Sequence, residues 1–578
     1  MILQALEQYY QRKTAGDDAE LSPLGFERKS IPVILELNSN AELVQIRVTD
    51  TKQDPAAAEY LVPQGEKKTS GIAANLFWDN VEYALGIDTR GKPDRVAKQH
   101  QLFVERIHQL GELAMSDPGV QILLKYLMEF DFESLREGPY LELLMTNPNL
   151  SFRLQGDTCL ICQRPALIKA LSSITAVDQN RAFCLITGEI STPERLHPAI
   201  KGVWGAQTAG ANIVSFNLDA FNSFGKTQGY NAPISQGASF SYTTALNHLL
   251  RKGSEQRIQV GDASTVFWAE QSDPLEQDFQ SIWGATPRSI RDDPDKYTEA
   301  VKSVLSSVQR GHSSPDRARR RFYVLGLAPN AARIAIRFWV VATVVEISQR
   351  TRQYFEELDI VHGDQDSGFL PLFRLLVNLA VLGKSENIPS NLAGEVMRCI
   401  LTGNPYPYTL LAATIRRCKA EQTVNYPRAA LIKACLNRNQ SKEEIKVSLD
   451  KDNRSTAYRL GRLFAVLEKI QEETHPGINA TIRDRYYGAA AANPVSVFAT
   501  LLKLKNHHLG KLDNPGRKTN FEKLLGEIFS DIPADLPSNL SLQDQGRFAV
   551  GYYHQRQYFF TKHPNNDQND QNHQGESK

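Results

Sequence analysis

The sequence has few of the features that place a protein in a secreted or membrane class. Its 578 residues include only six cysteines, too few and too widely spaced for a disulfide framework, so we expect a reducing, cytoplasmic setting. No apolar run reaches the ~20 residues that a membrane span needs, and the nearest, RFWVVATVVEI at residues 337–347, is too short. The N-terminus also lacks the basic start and long apolar core of a secretory signal peptide. We therefore expect no membrane partner.

Familiar catalytic and cofactor motifs are missing as well. The chain contains no phosphate-binding loop, GxGxxG, HExxH, GxSxG or EF-hand pattern, so we expect no cofactor and no enzymatic activity. Two patterns leave a metal-dependent nuclease or hydrolase open as an alternative. One is the acidic cluster Asp292–Asp295, which we interpret as a solvated turn. The other is the pair Cys159 and Cys162, with Cys184 and His197 downstream as further zinc ligands; we interpret these thiols as small packed side chains and expect no metal site.

Charge gives a weak global signal. The net charge is +1, so no overall field draws the chain onto nucleic acid or an anionic membrane, and any basic surface must be local.

The pattern along the chain changes near residue 345. Before it, alternating apolar residues predict strands, including a hairpin in IPVILELNSNAELVQIRVT and two strands in FYVLGLAPNAARIAIRFW, together with a helix at Ser241–Arg251. After it, every confident pattern is helical. We predict an α+β domain at residues 1–345, a helical connector at 346–430, a C-terminal helical bundle at 431–563 and a disordered tail at 564–578.

Basic side chains concentrate in a strand and in the helical half. The segment RIAIRFW predicts a strand with Arg333 and Arg337 on one face and Ile334, Ile336 and Phe338 on the other, an arrangement that suits phosphate oxygens. A solvated edge strand explains it equally well. The candidate contacts to a nucleic-acid backbone are Arg319, Arg320, Arg333, Arg337, Arg459, Arg462, Lys503 and Lys505, the last four on basic helix faces.

Residues 212–250 form a segment unusually rich in amides, glycine and aromatics. Asn and Gln side chains read hydrogen-bond donors and acceptors without titrating, and glycine lets a backbone come close to a groove. The candidate groove-contacting residues are Lys226, Gln228, Gly229 and Asn231. The alternative is a loop whose amides satisfy its own backbone.

Several blocks of the sequence resemble one known family. They are GIAANLFWDNVEYALG at residues 71–86, the long segment 184–250, VFWAE at 266–270 and FYVLGLAPNAARIAIRFW at 322–339, in that order. They resemble the large subunit of the subtype I-C CRISPR surveillance complex, Cascade, of the Csd-type family. The C-terminal half resembles the family in its general helical pattern rather than in specific sequence blocks.

The resemblance implies a non-enzymatic subunit that recognises the PAM in double-stranded DNA, assists strand opening and R-loop formation, and recruits the helicase-nuclease. Its implied partners are crRNA, the target duplex with its displaced strand, and the backbone, crRNA-processing and small subunits of the complex. We assign the PAM contact to the loop at Lys226–Asn231 on the basis of its amides, lysine and glycines, with Asn75, Lys67 and Lys68 as a second choice and Trp78 as a core residue rather than a wedge. A purely structural scaffold subunit remains the second alternative.

Overall fold

The structure is a computed structural model, and it describes the chain with gaps. The described residues are 1–15, 21–49, 59–66, 71–129, 139–172, 181–284, 299, 301–302, 306, 315–364, 366, 368–440 and 445–560. Lys67, Lys68, the cluster Asp292–Asp295 and the predicted tail at 564–578 lie outside them. The chain divides into two compact units, residues 1–200 with 212–248, and residues 201–211 with 249–578.

The first unit combines short strands with helices. Its strands are β1 Phe26–Ser30, β2 Val33–Leu37, β3 Leu43–Val48, β4 Glu59–Pro63, β5 Trp78–Asn80, β6 Asn149–Leu154, β7 Ala182–Phe183 and β8 Ile190–Ser191. Its helices are α1 Ile2–Thr14, α2 Val81–Ala84, α3 Pro93–His108, α4 Glu112–Met115, α5 Pro118–Glu129, α6 Leu141–Met145 and α7 Pro165–Ser172, followed by α8 Gln236–Leu250, of which the residues up to 248 belong to this unit.

A mixed sheet in the order β3-β2-β6-β5 carries the core of the first unit. The predicted hairpin is confirmed as the antiparallel pair β2–β3, while β2 and β6 run parallel. Apolar residues of β2 and β6 pack against α3 and α5, and the Phe152 ring lies 6.5 Å from that of Phe103 and 6.3 Å from that of Tyr126. Burial of these aromatic rings stabilises the sheet against the helices.

The second unit joins one sheet to a set of helices. Its strands are β9 Arg257–Val260, β10 Ala263–Ala269, β11 Arg321–Asn330 and β12 Arg333–Thr343. Its helices, within the described residues, are α9 Leu275–Trp283, α10 Pro315–Arg319, α11 Val344–Leu358, α12 Leu372–Val377, α13 Ser390–Thr402, α14 Tyr408–Glu421, α15 Tyr426–Gln440, α16 Thr456–Thr474, α17 Ile482–Ala490, α18 Pro494–Gly510, α19 Pro515–Phe529 and α20 Leu542–Phe560. In the part of the chain that is described, every helix is too short or too polar to span a bilayer. The predicted α+β class is confirmed.

The sheet of the second unit is antiparallel, in the order β12-β11-β10-β9. The predicted pair of strands at one end of the sheet, β11–β12, is confirmed, but the alternation of side chains between the two faces of β12 is interrupted. Gly326 pairs with Phe338 and Leu327 with Ile336, so Arg337 is the extra residue of a β-bulge. The prediction that Ile336 shares an apolar face with Phe338 is therefore wrong, and the Ile336 side chain is 44% exposed.

One buried core connects this sheet to the helices. It runs from Ile258 and Phe322 in the strands through Ile347 to Phe464 and Phe548. The sequence grouped these strands with the N-terminal half, whereas in the structure they share a compact unit with the helices. The limits at residues 345 and 430, as boundaries of separately folding domains, stay predictions.

Helices α16 and α20 approach more closely than ordinary side chains allow. A Cβ atom at Gly461 would lie 2.0 Å from the carbonyl oxygen of Phe548, and one at Gly551 would lie 2.1 Å from that of Tyr458. Each glycine therefore receives the backbone of the opposite helix. The interface also buries hydrogen bonds from Tyr552 Oη to Glu468 Oε2 at 2.6 Å and between Tyr458 Oη and His554 Nδ1 at 2.8 Å.

We predict that Gly461→Ala and Gly551→Ala each destabilise the second unit by roughly 1–3 kcal/mol or more, because the added methyl must push two helix backbones apart. Gly526→Ala is the matched control, since this helical glycine has open space around its Cβ position and alanine there favours the helix by up to ~1 kcal/mol. Urea denaturation followed by circular dichroism measures the difference. Equal midpoints for all three variants would contradict the close contact.

Candidate nucleic-acid interface

The amide-rich segment forms a loop held by one asparagine. It contains only short 3-10 turns, at Asp219–Phe221 and Gln228–Asn231, before α8, which begins at Gln236 rather than at the predicted residue 241. Asn231 Oδ1 accepts from the Ser223 backbone N–H at 2.9 Å, and Asn231 Nδ2 donates to the Gln228 and Lys226 carbonyls at 3.0 and 3.2 Å. The Asn231 amide is thus engaged within the loop, as the alternative interpretation expected for this residue.

The base of the loop packs on the segment around Arg195. The Gly229 N–H donates to the Arg195 carbonyl at 3.1 Å, and a Cβ at Gly229 would lie 2.1 Å from the Glu194 carbonyl oxygen. Gln228 has a φ of 46°, and its Oε1 accepts from Arg195 Nη1 at 2.8 Å. The close approach that requires Gly229 is therefore an approach to the chain itself. Gln228 Nε2 has no hydrogen-bond partner among the described residues and remains able to donate.

The tip of the loop presents an aromatic ring beside a lysine. The Phe224 side chain is 97% exposed, and both Phe224 and Gly225 have positive φ angles, 52° and 69°. Lys226 follows directly and is exposed. A ring this exposed is accessible for contact with a binding partner. Sequence reasoning missed Phe224, although its place between Ser223 and Gly225 in a polar stretch was an available signal.

The second-choice site is organised as interior structure. Asn75 is 5% exposed. Its side-chain Oδ1 accepts from the Glu66 backbone N–H at 2.9 Å, and its backbone N–H donates to Asp79 Oδ2 at 2.8 Å. Trp78 donates from Nε1 to the Pro63 carbonyl at 2.7 Å and is buried. The interpretation of Trp78 as a core residue is confirmed, whereas Asn75 does not present its side chain at the surface.

The arginines before β11 divide into two roles. Arg317 Nε and Arg320 Nη1 both contact Asp273 Oδ2, at 2.9 and 3.1 Å. Burial alone would raise the pKa of Asp273, but hydrogen bonds from the Arg317 side chain and the Leu275 backbone N–H, together with the charges of Arg317 and Arg320, lower it. Arg320 is thereby occupied in fixing the turn after β10, whereas Arg319 is exposed.

The arginines of β12 lie on an edge strand of the sheet. Arg337 is exposed and forms an ion pair with Asp262 at 2.5 Å, while Arg333 is partly exposed. Both the backbone-contact and the solvated-edge interpretations of Arg333 and Arg337 fit this position, so the contact stays a prediction.

The prediction that α16 presents a basic face to solvent is wrong, because both of its arginines are buried. Arg459 and Arg462 are 3% and 0% exposed, with ion pairs to Asp531 at 2.8 Å and Glu527 at 2.9 Å. These arginines bind α16 to the end of α19 instead of facing solvent. On α18, by contrast, Lys503 is exposed and Lys505 partly exposed, and neither forms an ion pair with a described carboxylate.

The cysteine and histidine candidates for zinc do not form a metal-binding cluster among the described residues. Burial raises the pKa of the Cys162 thiol to about 12, and Cys184 Sγ accepts from the backbone N–H of Ser235 at 3.3 Å. His197 Nδ1 lies 2.6 Å from Tyr242 Oη. Among the described residues no cluster of three or more His, Cys, Asp or Glu side chains could hold a metal ion.

Comparison with known families gives a match over most of the chain. The model of a family described as CRISPR-associated protein (Cas_Csd1) matches residues 6–560, which confirms the resemblance drawn from the sequence blocks. No curated protein matches the chain.

We predict that Asn231→Ala loosens the loop tip, because two backbone carbonyls and one N–H lose their partner at once. Chymotrypsin should then cleave after Phe224 roughly tenfold faster, the expected effect of losing ~1 kcal/mol or more of local hydrogen bonding. Thr227→Ala is the control, since that exposed side chain makes no hydrogen bond to a described residue. Equal cleavage rates in the two variants would show that Asn231 does not hold the tip.

Proposed function

Because the chain belongs to the Cas_Csd1 family of CRISPR-associated proteins, we propose that it is the large subunit of a crRNA-guided surveillance complex. In this role it recognises the PAM in double-stranded DNA, assists strand opening and R-loop formation, and recruits the helicase-nuclease in antiviral defence. Its partners are then crRNA, the target duplex with its displaced strand, and the backbone, crRNA-processing and small subunits. The chain itself catalyses no reaction in this proposal.

The observation that carries the proposal is the shape of the 223–231 loop. Its stem is fixed by Asn231 and by the packing of Gly229, while Phe224 and Lys226 project at the tip. A loop held in one conformation before binding loses less conformational entropy when DNA binds. The loop therefore suits recognition at a fixed position on a duplex.

The side chains at the tip match the chemistry of the minor groove at A·T pairs. Adenine N3 and thymine O2 present only acceptors there, and Lys226 and the Nε2 of Gln228 are donors. An apolar ring can enter a base step and partly unstack it, and Phe224 is the exposed ring at this tip. We assign PAM contact to Lys226 and Gln228, strand opening to Phe224, and shaping of the loop to Gly229 and Asn231.

A second group of contacts would follow the nucleic-acid backbone. Lys503 and Lys505 on α18, with Arg319, Arg333 and Arg337, are at least partly exposed cations, the residue type that contacts phosphates without reading sequence. We assign the α18 lysines to the displaced single strand. Base pairing with crRNA reads the remaining sequence, as it does in other RNA-guided effectors.

We expect Lys226→Ala and Gln228→Ala each to weaken binding to targets with the correct PAM by roughly tenfold or more, since one well-placed contact contributes ~1–3 kcal/mol. Binding to a scrambled PAM should change little. Phe224→Ala should instead slow strand opening, measured with a fluorescent base beside the PAM. Phe183→Ala is the matched control, because its ring is 67% exposed elsewhere in the same unit.

The PAM assignment fails if assembled complexes carrying these loop variants discriminate the PAM and open DNA like wild type and Phe183→Ala. That outcome would favour the structural scaffold.

Charge reversal of the α18 lysines tests the displaced-strand contact. Lys503→Glu with Lys505→Glu should leave PAM binding intact but shorten the R-loop lifetime. The slope of log K against log salt concentration for binding of single-stranded DNA should also become shallower, by roughly 0.7 per lost phosphate contact. The exposed Lys98 of α3 provides the control variant Lys98→Glu. An unchanged R-loop lifetime and an unchanged slope would show that Lys503 and Lys505 do not contact the displaced strand.

A further inference from the structure

A cleft of about 600 Å³ lies in the second unit, at the free edge of its sheet. The residues that line it include Trp204, Arg257, Trp283, Phe373, Leu376 and Ile388. Its volume is that of a ligand site, and its lining is mainly apolar with a few polar groups. No residue assigned to nucleic acid above belongs to it, so the inference drawn from it does not rest on the proposed function.

The cleft runs along the unpaired side of β9. This strand pairs only with β10 in the sheet order, and the turn between them is Gly261-Asp262, with Gly261 at a φ of 60°. Val260 and Ala263 close that turn. Because hydrogen-bonded and non-hydrogen-bonded pairs alternate in an antiparallel ladder, the N–H and C=O of Arg257 and Gln259 point away from β10. These backbone groups accept and donate no hydrogen bond among the described residues.

The two faces of β9 differ in chemistry. Ile258 and Val260 are buried in the same core as Trp283 and Leu376. The side chains of Arg257 and Gln259 project to the other face. On this face Ser264 lies opposite Gln259, and the Trp204 backbone N–H donates to Ser264 Oγ at 2.9 Å. An added strand would therefore meet an apolar surface with every second side chain and a basic, aromatic surface with the others.

Arg257 gives the second face its charge. Its guanidinium is partly buried, and its hydrogen bond among the described residues goes to the Leu250 carbonyl at 2.8 Å rather than to a carboxylate. Burial lowers the pKa of Arg257, because a buried cation without an anionic partner is destabilised. Asp262 is engaged by Arg337, and Glu386, also in the lining, is exposed. A carboxylate on a ligand would provide the missing partner for Arg257.

We propose that β9 accepts an extended peptide segment of a partner protein, in which apolar residues alternate with acidic ones. The peptide pairs with the outward N–H and C=O groups of Arg257 and Gln259 and extends the sheet by one strand. Its apolar side chains enter the cleft over Leu376 and Ile388, and an acidic side chain binds Arg257. A nucleic-acid strand fits less well, since the aliphatic floor offers nothing to a sugar-phosphate backbone.

The test is fluorescence anisotropy of the full chain with a labelled peptide in which valine alternates with glutamate. Arg257→Gln should weaken binding roughly tenfold, the effect of losing one charged hydrogen bond. Gln259→Pro should also weaken it, because proline removes an outward N–H and leaves the β9–β10 bonds in place. Arg251→Gln, an exposed arginine outside the cleft, is the control and should bind like wild type.

Two control peptides separate the contributions. Replacing glutamate by lysine should abolish binding, and grouping the same residues into an apolar and an acidic block should weaken it. The proposal is overturned if the alternating peptide does not bind, or binds wild type, Arg257→Gln and Gln259→Pro equally. Binding of a single-stranded oligonucleotide that is lost in Arg257→Gln, without peptide binding, would overturn it in favour of nucleic acid.

Discussion

The architecture of the second unit depends on the contact between the backbones of α16 and α20. Gly461 and Gly551 each lie against a carbonyl oxygen of the opposite helix, so neither position tolerates a side chain. This spacing places α20 against α14 and α15 as well, where Gly546 lies beneath Leu411, Ile432 and Leu436. The same buried core continues into the sheet that carries β9, so a change in the spacing of these helices acts on that sheet through close-packed side chains.

Buried charges make this packing specific. Arg438 is 3% exposed at its side chain and pairs with Glu357 at 2.8 Å, and its guanidinium lies 4.1 Å from the Tyr406 ring. Glu468 is fully buried and is reached by Tyr552, Arg483 and Arg556. Removing one partner of such a group leaves an uncompensated charge, which typically costs ~3–5 kcal/mol. The helices therefore assemble in a register that their apolar residues alone would not define.

The sequence predicts what depends on local pattern and misses what depends on distant partners. The β2–β3 hairpin and the β11–β12 pair follow from alternation, and the helical C-terminal half follows from its periodicity. Helical spacing could not show that Arg462 is buried, because Glu527 lies 65 residues away. In the loop, composition indicated an unusual surface, but the Gln228–Arg195 contact that shapes it joins residues 33 apart. Phe224 escaped notice because aromatic residues are usually buried, and only the fold reveals its exposure.

The histidine in the α16–α20 interface links this packing to acidity. Burial, with Lys433 nearby, lowers the pKa of His554 from 6.5 to about 3. In the folded chain the ring therefore stays neutral at pH values where the unfolded chain binds a proton. The contribution of this neutral ring to the free energy of unfolding is fully present above pH 6.5, and it decreases as the pH falls from 6.5 toward 3. Unfolding of the helix pair in mild acid is thus coupled to proton uptake, and the proton acts as a ligand that binds the unfolded state preferentially.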